Sequence, residues 1–361
     1  MTKIHTLLLL CLFALVLPVA GQEAEFKKIK ESWTLRADGS QVYRHMKVLT
    51  LYTHTAMNRT YGESFITYDP RYQTLEIHES YTRQKDGNIV KTPDNAFVEV
   101  LPAAAANAPA FNALREMVVV HTGLELGATV YLDYSITSKP GYLPEINVCR
   151  QLEQSSPVKE YEISITVPQG QRLEYALDNL KSKPLVTEKE GMKQVSWVLK
   201  NLPALSREPQ VLVIGGELPL LTATTEQKPM AFLSAQWERE ADARLRTLAG
   251  KLTAGAKSDE EKVKALHSYV IDNLYYSPLP LGETAYRIRP TAEVLRSAYA
   301  TEAEKANLLA ALLRAAGLKA EIGAVCVPSA NTASLGMGSI RELFVWTEAG
   351  GRQQALSLKG K

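Results

Sequence analysis

Cysteine is scarce in this chain. The 361 residues hold three, Cys11, Cys149 and Cys326. So few thiols exclude a small disulfide-stapled scaffold and a cysteine-built zinc fold. The CxxC, GxSxG, P-loop and GxGxxG patterns are all missing. With them go the usual fingerprints of thiol redox, serine hydrolase, nucleotide triphosphatase and dinucleotide chemistry. Six histidines are scattered as His5, His45, His54, His78, His121 and His267, and no two have the spacing of a zinc pair. No metal or cofactor is therefore expected. Charge of one sign is lacking too: 41 basic against 39 acidic residues leave +2. That balance gives no electrostatic case for nucleic acid.

Long apolar runs are confined to the start. Lys3 precedes an apolar stretch at 7–17, which is too short to span a bilayer comfortably. Val19, Ala20 and Gly21 then supply the small residues that a signal peptidase needs before Gln22. Residues 1–21 read as a secretory signal peptide cut near Gly21, so the chain is expected to be exported, to the periplasm or outside the cell. Cys11 lies within the apolar stretch, not just after the small residues, which argues against lipid attachment. Cleavage leaves Cys149 and Cys326. An oxidising compartment permits a disulfide between them; two separate buried thiols are the other reading.

Residues 22–214 read as a β-rich domain. Val130, Leu132, Tyr134 and Ile136 recur with a period of two, as do Tyr161, Ile163, Ile165 and Val167. Lys85-Asp86-Gly87-Asn88 is a hairpin-type turn, and Gly123 and Gly127 bracket another. Short strands at this spacing argue for an antiparallel β-sandwich-like domain. Residues 103–110, rich in alanine, with Pro102 just before them and Pro109 among them, read as a loop. Gly215, Gly216, Pro219 and Pro229 mark a composition shift, and 215–229 reads as a linker.

Helices dominate 230–361. One is expected over 235–248. A second opens at Ser258, with Glu261 completing a capping box, and buries Val263, Leu266, Val270, Ile271 and Leu274. The strongest element lies within 290–317. Thr301 and Glu304 form another capping box, Leu308, Leu309, Leu312 and Leu313 recur at helical spacing, and Gly317 suits a left-handed C-cap. Alanines at 306, 310, 311, 315 and 316 leave almost no polar face, so this helix is expected to be buried. Strands are expected at 321–327, 343–347 and 354–358, with a Gly/Ser/Asn loop at 329–339.

The stretches EEKVKALHSYVIDNLYYS, PTAEVL and EKANLLAALLRAAGLKAE, in that order, resemble the transglutaminase-like, or papain-like, cysteine hydrolase superfamily. The region before them resembles a domain of unknown function that often precedes such domains in exported bacterial proteins. LREMVVVHTGLELGATVYLDYSI and SSPVKEYEISITVPQG carry that likeness. The resemblance implies an α+β fold for 230–361, incomplete at its C-terminus, with the buried helix at its centre. It also implies a cysteine at the helix start, a histidine on a following strand and an aspartate on the next. The positions that match hold Glu302, Glu342 and Ser357 instead. Glu302 has a plain structural reading, since an acidic residue stabilises a helix N-terminus by ~0.3–1 kcal/mol. The chain thus reads as an exported non-catalytic protein that binds a protein or peptide partner in the cell envelope. Two alternatives stay open: a peptidase or amide hydrolase with a displaced or incomplete site, and a structural envelope module that assembles with itself.

Overall fold

The computed structural model describes residues 22–205, 218–226 and 230–359. The expected signal peptide lies outside the described residues, as do 215–217 and 227–229 of the expected linker. The β-rich part holds β1 (Ala24–Leu35), β2 (Gln41–Leu51), β3 (Glu63–Tyr68), β4 (Gln73–Arg83), β5 (Ile89–Lys91), β6 (Phe97–Val100) and β7 (Arg115–Val120). It continues with β8 (Thr129–Ser138), β9 (Asn147–Gln151), β10 (Val158–Pro168), β11 (Glu174–Asp178), β12 (Leu185–Lys189), β13 (Met192–Leu202) and β14 (Leu220–Thr224).

Eight strands form one sheet in the order β12-β13-β10-β1-β2-β8-β4-β5. Two three-stranded sheets, β3-β7-β6 and β11-β14-β9, accompany it. The period of two has its expected effect in β10: Tyr161, Ile163, Ile165 and Val167 are buried, while Glu162, Ser164 and Thr166 stand on the other face. One pair departs from the antiparallel expectation. β1 and β10 run parallel, with Ile29 opposite Tyr161 and Trp33 opposite Ile165. More than a hundred residues separate them, so the long crossover that parallel strands need is available.

The stretch read as a linker contains β14. Leu220, Leu221, Thr222, Ala223 and Thr224 are all buried, between β9 and β11. Their β-branched and apolar content is a strand signal that the flanking glycines and prolines obscured. Residues 103–110 form a loop with two short 3-10 turns, as expected.

The second part holds a helical turn at Ala231–Ser234, then α1 (Ala243–Thr253), α2 (Asp259–Asp272), β15 (Tyr275–Tyr276), α3 (Thr291–Ser297) and β16 (Tyr299–Ala300). α4 (Glu302–Ala315), β17 (Ala320–Cys326), β18 (Ile340–Ala349) and β19 (Arg352–Ser357) follow. α1 begins eight residues later than the expected 235, because Asp242 caps it by accepting from the Leu245 amide at 2.7 Å. α2 has its Ser258 cap, but Glu261 reaches back to the Lys257 amide and not to that of Ser258. α4 is buried without a break from Ala303 through Leu313. α1, α2, β17 and β18 all pack against it. Its alanines let all of these neighbours approach closely. Gly317 at φ 82° ends it, with the Leu318 amide bonded to the Leu313 carbonyl at 3.0 Å. Among the described residues no helix is long and apolar enough to cross a membrane.

Candidate functional site

The N-terminus of α4 is a heavily braced corner. Thr301 accepts from the Glu304 amide, and the Glu304 carboxylate accepts from the Thr301 amide at 2.9 Å, so the capping box is complete. Glu304 is buried and also holds Arg289. The Arg289 Nε donates to Glu304 Oε1 at 2.8 Å and its Nη2 to Oε2 at 2.9 Å. The same guanidinium donates to the Tyr299 carbonyl and the Ser297 hydroxyl, and lies 4.2 Å from the Tyr299 ring centre. A two-residue parallel pair, Tyr275 with Tyr299 and Tyr276 with Ala300, sets Tyr276 beside the helix start. Lys305 is only 1% exposed, with its Nζ 5.6 Å from the Tyr276 ring centre. Burial pushes its pKa down. Burial, and then the Glu302 charge, push the Tyr276 hydroxyl up.

The three positions implied by the resemblance fall at this corner. Glu302 is the first residue of α4, and its Oε1 accepts from the Leu343 amide of β18 at 2.9 Å. Glu342 is the neighbour of Leu343. Its Oε1 accepts from the Ser357 hydroxyl of β19 at 3.4 Å. The Ser357 carbonyl in turn lies 2.7 Å from His267 Nε2, whose N–H donates to it. Helix start, β18 and β19 are thus brought together in the expected order. The bonds that join them are those of a helix anchor and a strand-to-strand contact.

A cleft of about 270 Å³ opens over Glu302. Pro278, Leu279, Pro280, Ile340 and Leu343 make its walls, with Tyr276 and Arg341 at its sides. It offers apolar surface around one carboxylate. A larger concavity of about 700 Å³ lies on the outer face of the eight-stranded sheet, lined by Lys30, Arg44, Glu162 and Gln194 among others. It is far in sequence from the α4 corner and is a polar sheet surface.

Cys149 and Cys326 are both free thiols and half-buried. Of the histidines, His45 bonds Glu31, and His78 bonds Ser135. His121 bonds Ser64, whose hydroxyl also accepts from Lys47 at 2.7 Å. Burial pushes His121 down to about 3 and Lys47 down to about 8. Among the described residues no group of histidine, cysteine and acidic side chains could hold a metal ion. The residues that sequence reasoning missed at the corner are Arg289, Lys305 and Arg341. Arg289 left a trace as a cation just before the proline that opens α3, and Lys305 as part of the EKANLL stretch that carries the resemblance.

Residues 246–351 match the family described as the transglutaminase-like superfamily. Residues 37–206 match a domain of unknown function with solved structure, DUF3857. The chain is similar to the crystal structure of a candidate protease from Parabacteroides distasonis, at 48% identity and a TM-score of 0.89, over 93% of this chain and 67% of that one. The periplasmic domain of TgpA from Pseudomonas aeruginosa matches at 15% identity and a TM-score of 0.25, over 58% of this chain and 71% of that one. A candidate cysteine protease from Cytophaga hutchinsonii matches at 10% identity and the same score, over 90% and 68%. Both superpose too loosely to bear on the site. Among curated proteins none matches. With a relative 48% identical over 93% of this chain, the chain belongs to the transglutaminase-like superfamily, its transglutaminase-like region carried behind a DUF3857 domain.

Proposed function

We propose that this protein is a non-catalytic member of its superfamily, exported from the cell, that uses the α4 corner and the β-rich part to hold a protein or peptide partner in the cell envelope. The observation that carries the reading is the Glu302–Leu343 bond. In a cysteine hydrolase the helix N-terminus favours a thiolate, which attacks the amide carbon while a histidine moves the proton. Here the helix N-terminus faces a carboxylate that is already bonded to a strand amide. A carboxylate is a weak nucleophile toward an unactivated amide. Glu342 and Ser357 bond to each other, so neither is poised to orient a base. On this reading the protease description stays with the Parabacteroides relative, because the positions that the resemblance matches to the catalytic residues hold Glu302, Glu342 and Ser357 here.

What the corner keeps is a cleft with apolar walls and one carboxylate, a surface suited to an extended peptide with an apolar side chain. The positive n-region, the short apolar stretch and the small residues before Gln22 support export. Two measurements test the two halves. Amino-terminal sequencing of the protein recovered from cells should begin at Gln22; a chain beginning at Met1 overturns export. A photo-crosslinking amino acid at Tyr276 should capture a defined partner in the envelope. Capture at a surface control position but not at 276 overturns the assignment of the cleft.

A further inference from the structure

Of the residues that line the cleft over α4, only Glu302 and Arg341 carry charge. They do not pair with each other, and the cations around the corner are all committed elsewhere. Arg289 holds Glu304 through two bonds. Lys305 sits with its Nζ 5.6 Å from the Tyr276 ring centre. Arg341 turns toward β9, where its Nη2 donates to Cys149 Sγ at 3.3 Å and its Nη1 to the Gly338 carbonyl at 3.4 Å. The loop that supplies that carbonyl is itself pinned. The Gly338 amide donates to Asn147 Oδ1 at 2.8 Å, and a Cβ at Gly336 or Gly338 would stand 2.7 or 2.8 Å from the same oxygen, so glycine is required for this approach.

Glu302 is thus left with one oxygen bonded and one open. Its Oε1 accepts from the Leu343 amide at 2.9 Å. Its Oε2 has no hydrogen-bond or ion-pair partner among the described residues. The helix N-terminus supplies about half a unit of opposite charge, which offsets only part of the carboxylate's. The rest stands among Pro278, Leu279, Pro280, Ile340 and Leu343, which solvate a charge poorly. The group that would complete this cleft is a hydrogen-bonding cation.

We propose that the cleft recognises the free amino terminus of a peptide whose first residue is apolar. The ammonium donates to Glu302 Oε2, and the first side chain lies against Pro278, Leu279 and Ile340. The proposal rests on the cleft being the partner site and names the end of the partner that enters it. Two features favour an α-ammonium over the ammonium of a lysine side chain. Leu343, whose amide Glu302 holds, is itself a wall of the cleft, so the apolar surface begins beside the carboxylate. In an α-amine the charge and the apolar side chain leave the same carbon. The cleft is also small: its 270 Å³ falls below the ~300–1,000 Å³ of sites for drug-sized ligands, which leaves room for roughly one or two residues. That suits the end of a chain better than its middle.

The test is calorimetric titration of the full chain with Leu-Gly-Gly amide, with its Nα-acetyl form and with Nα-acetyl-Gly-Lys-Gly amide. Amidation removes the carboxylate, so the amine is the first peptide's only charge. The free-amine peptide should bind, and acetylation should weaken it about tenfold or more, as should Glu302→Gln. Its affinity should also fall above about pH 8, where an α-amine loses its proton. Acetylation alters the peptide and not the protein, so that arm does not depend on how a variant folds. Equal affinity for the free and acetylated peptides, tighter binding of the lysine peptide, or no binding of the free-amine peptide overturns the proposal. Such a failure with partner capture at Tyr276 intact removes the amino-terminal reading alone; failure of both removes the cleft as the partner site.

Discussion

The Glu302 carboxylate and the Leu343 amide are joined by a hydrogen bond of 2.9 Å that ties the first turn of the central helix to the middle strand of the C-terminal sheet. Leu343 is only 2% exposed, so its N–H has little water to turn to. Replacing Glu302 with alanine leaves that donor unpaired and removes the favourable charge at the helix start. A loss of about 1–3 kcal/mol is expected, read from urea unfolding. Glu302→Gln keeps an acceptor and should lose less than half as much.

The same position gives a chemical prediction. In Glu302→Cys the helix N-terminus should favour the thiolate and lower the thiol pKa. Iodoacetamide should therefore alkylate the new thiol faster at pH 7 than it alkylates Cys149. The variant should still turn over no peptide, since Glu342 and Ser357 do not supply the base and its orienter. Alkylation slower than at Cys149 would show that the corner does not favour a thiolate.

Arg289 and Glu304 form a two-pronged ion pair with the carboxylate wholly buried. Arg289→Met leaves that carboxylate without its main partner. Removing one member of such a pair costs about 3–5 kcal/mol, enough to unfold a marginal protein. Guanidinium unfolding should show the loss. Arg289→Lys should recover only part of it, because an ammonium cannot reproduce the parallel bonds to both oxygens.

Thr301, Glu304, the leucine repeat and Gly317 all announced α4 from the sequence, because caps and helical periods are local. The Arg289 partnership was not legible: the sequence shows Glu304 as a cap, and nothing local says a cation fifteen residues back will share it. Likewise Ser329–Ser339 read only as a loop rich in small residues. Its glycines are explained by Asn147, which lies nearly two hundred residues away. β14 was hidden by the glycines and prolines around it. The positions of Glu302, Glu342 and Ser357 came from resemblance, and the fold gathers them at one corner. What each side chain bonds to there was beyond sequence reasoning, since it depends on the register of β18 with β17 and β19.

Acid stability should depend on Glu31. Burial pushes this carboxyl up, but the hydrogen bond from His45, the charge of Arg150 and the Tyr161 hydroxyl outweigh burial and hold it at about 2 against an ordinary 4.5. The folded state therefore favours the ionised form. That stabilisation is complete above pH 4.5 and is lost as pH falls through about 2. It amounts to roughly 3 kcal/mol. Stability measured by urea between pH 5 and 2 should fall more steeply in the wild type than in Glu31→Gln. Equal slopes would mean that the buried charge is not the acid-sensitive group.

The account stands or falls on whether the α4 corner does chemistry. The most direct measurement is incubation of the purified wild-type chain with a diverse peptide and amide library, read by mass spectrometry, beside the variants Cys149→Ala, Cys326→Ala and Glu302→Gln. The account predicts that all four leave the library unchanged. Cleavage or amide exchange by the wild type that disappears in any one of the three variants would contradict it.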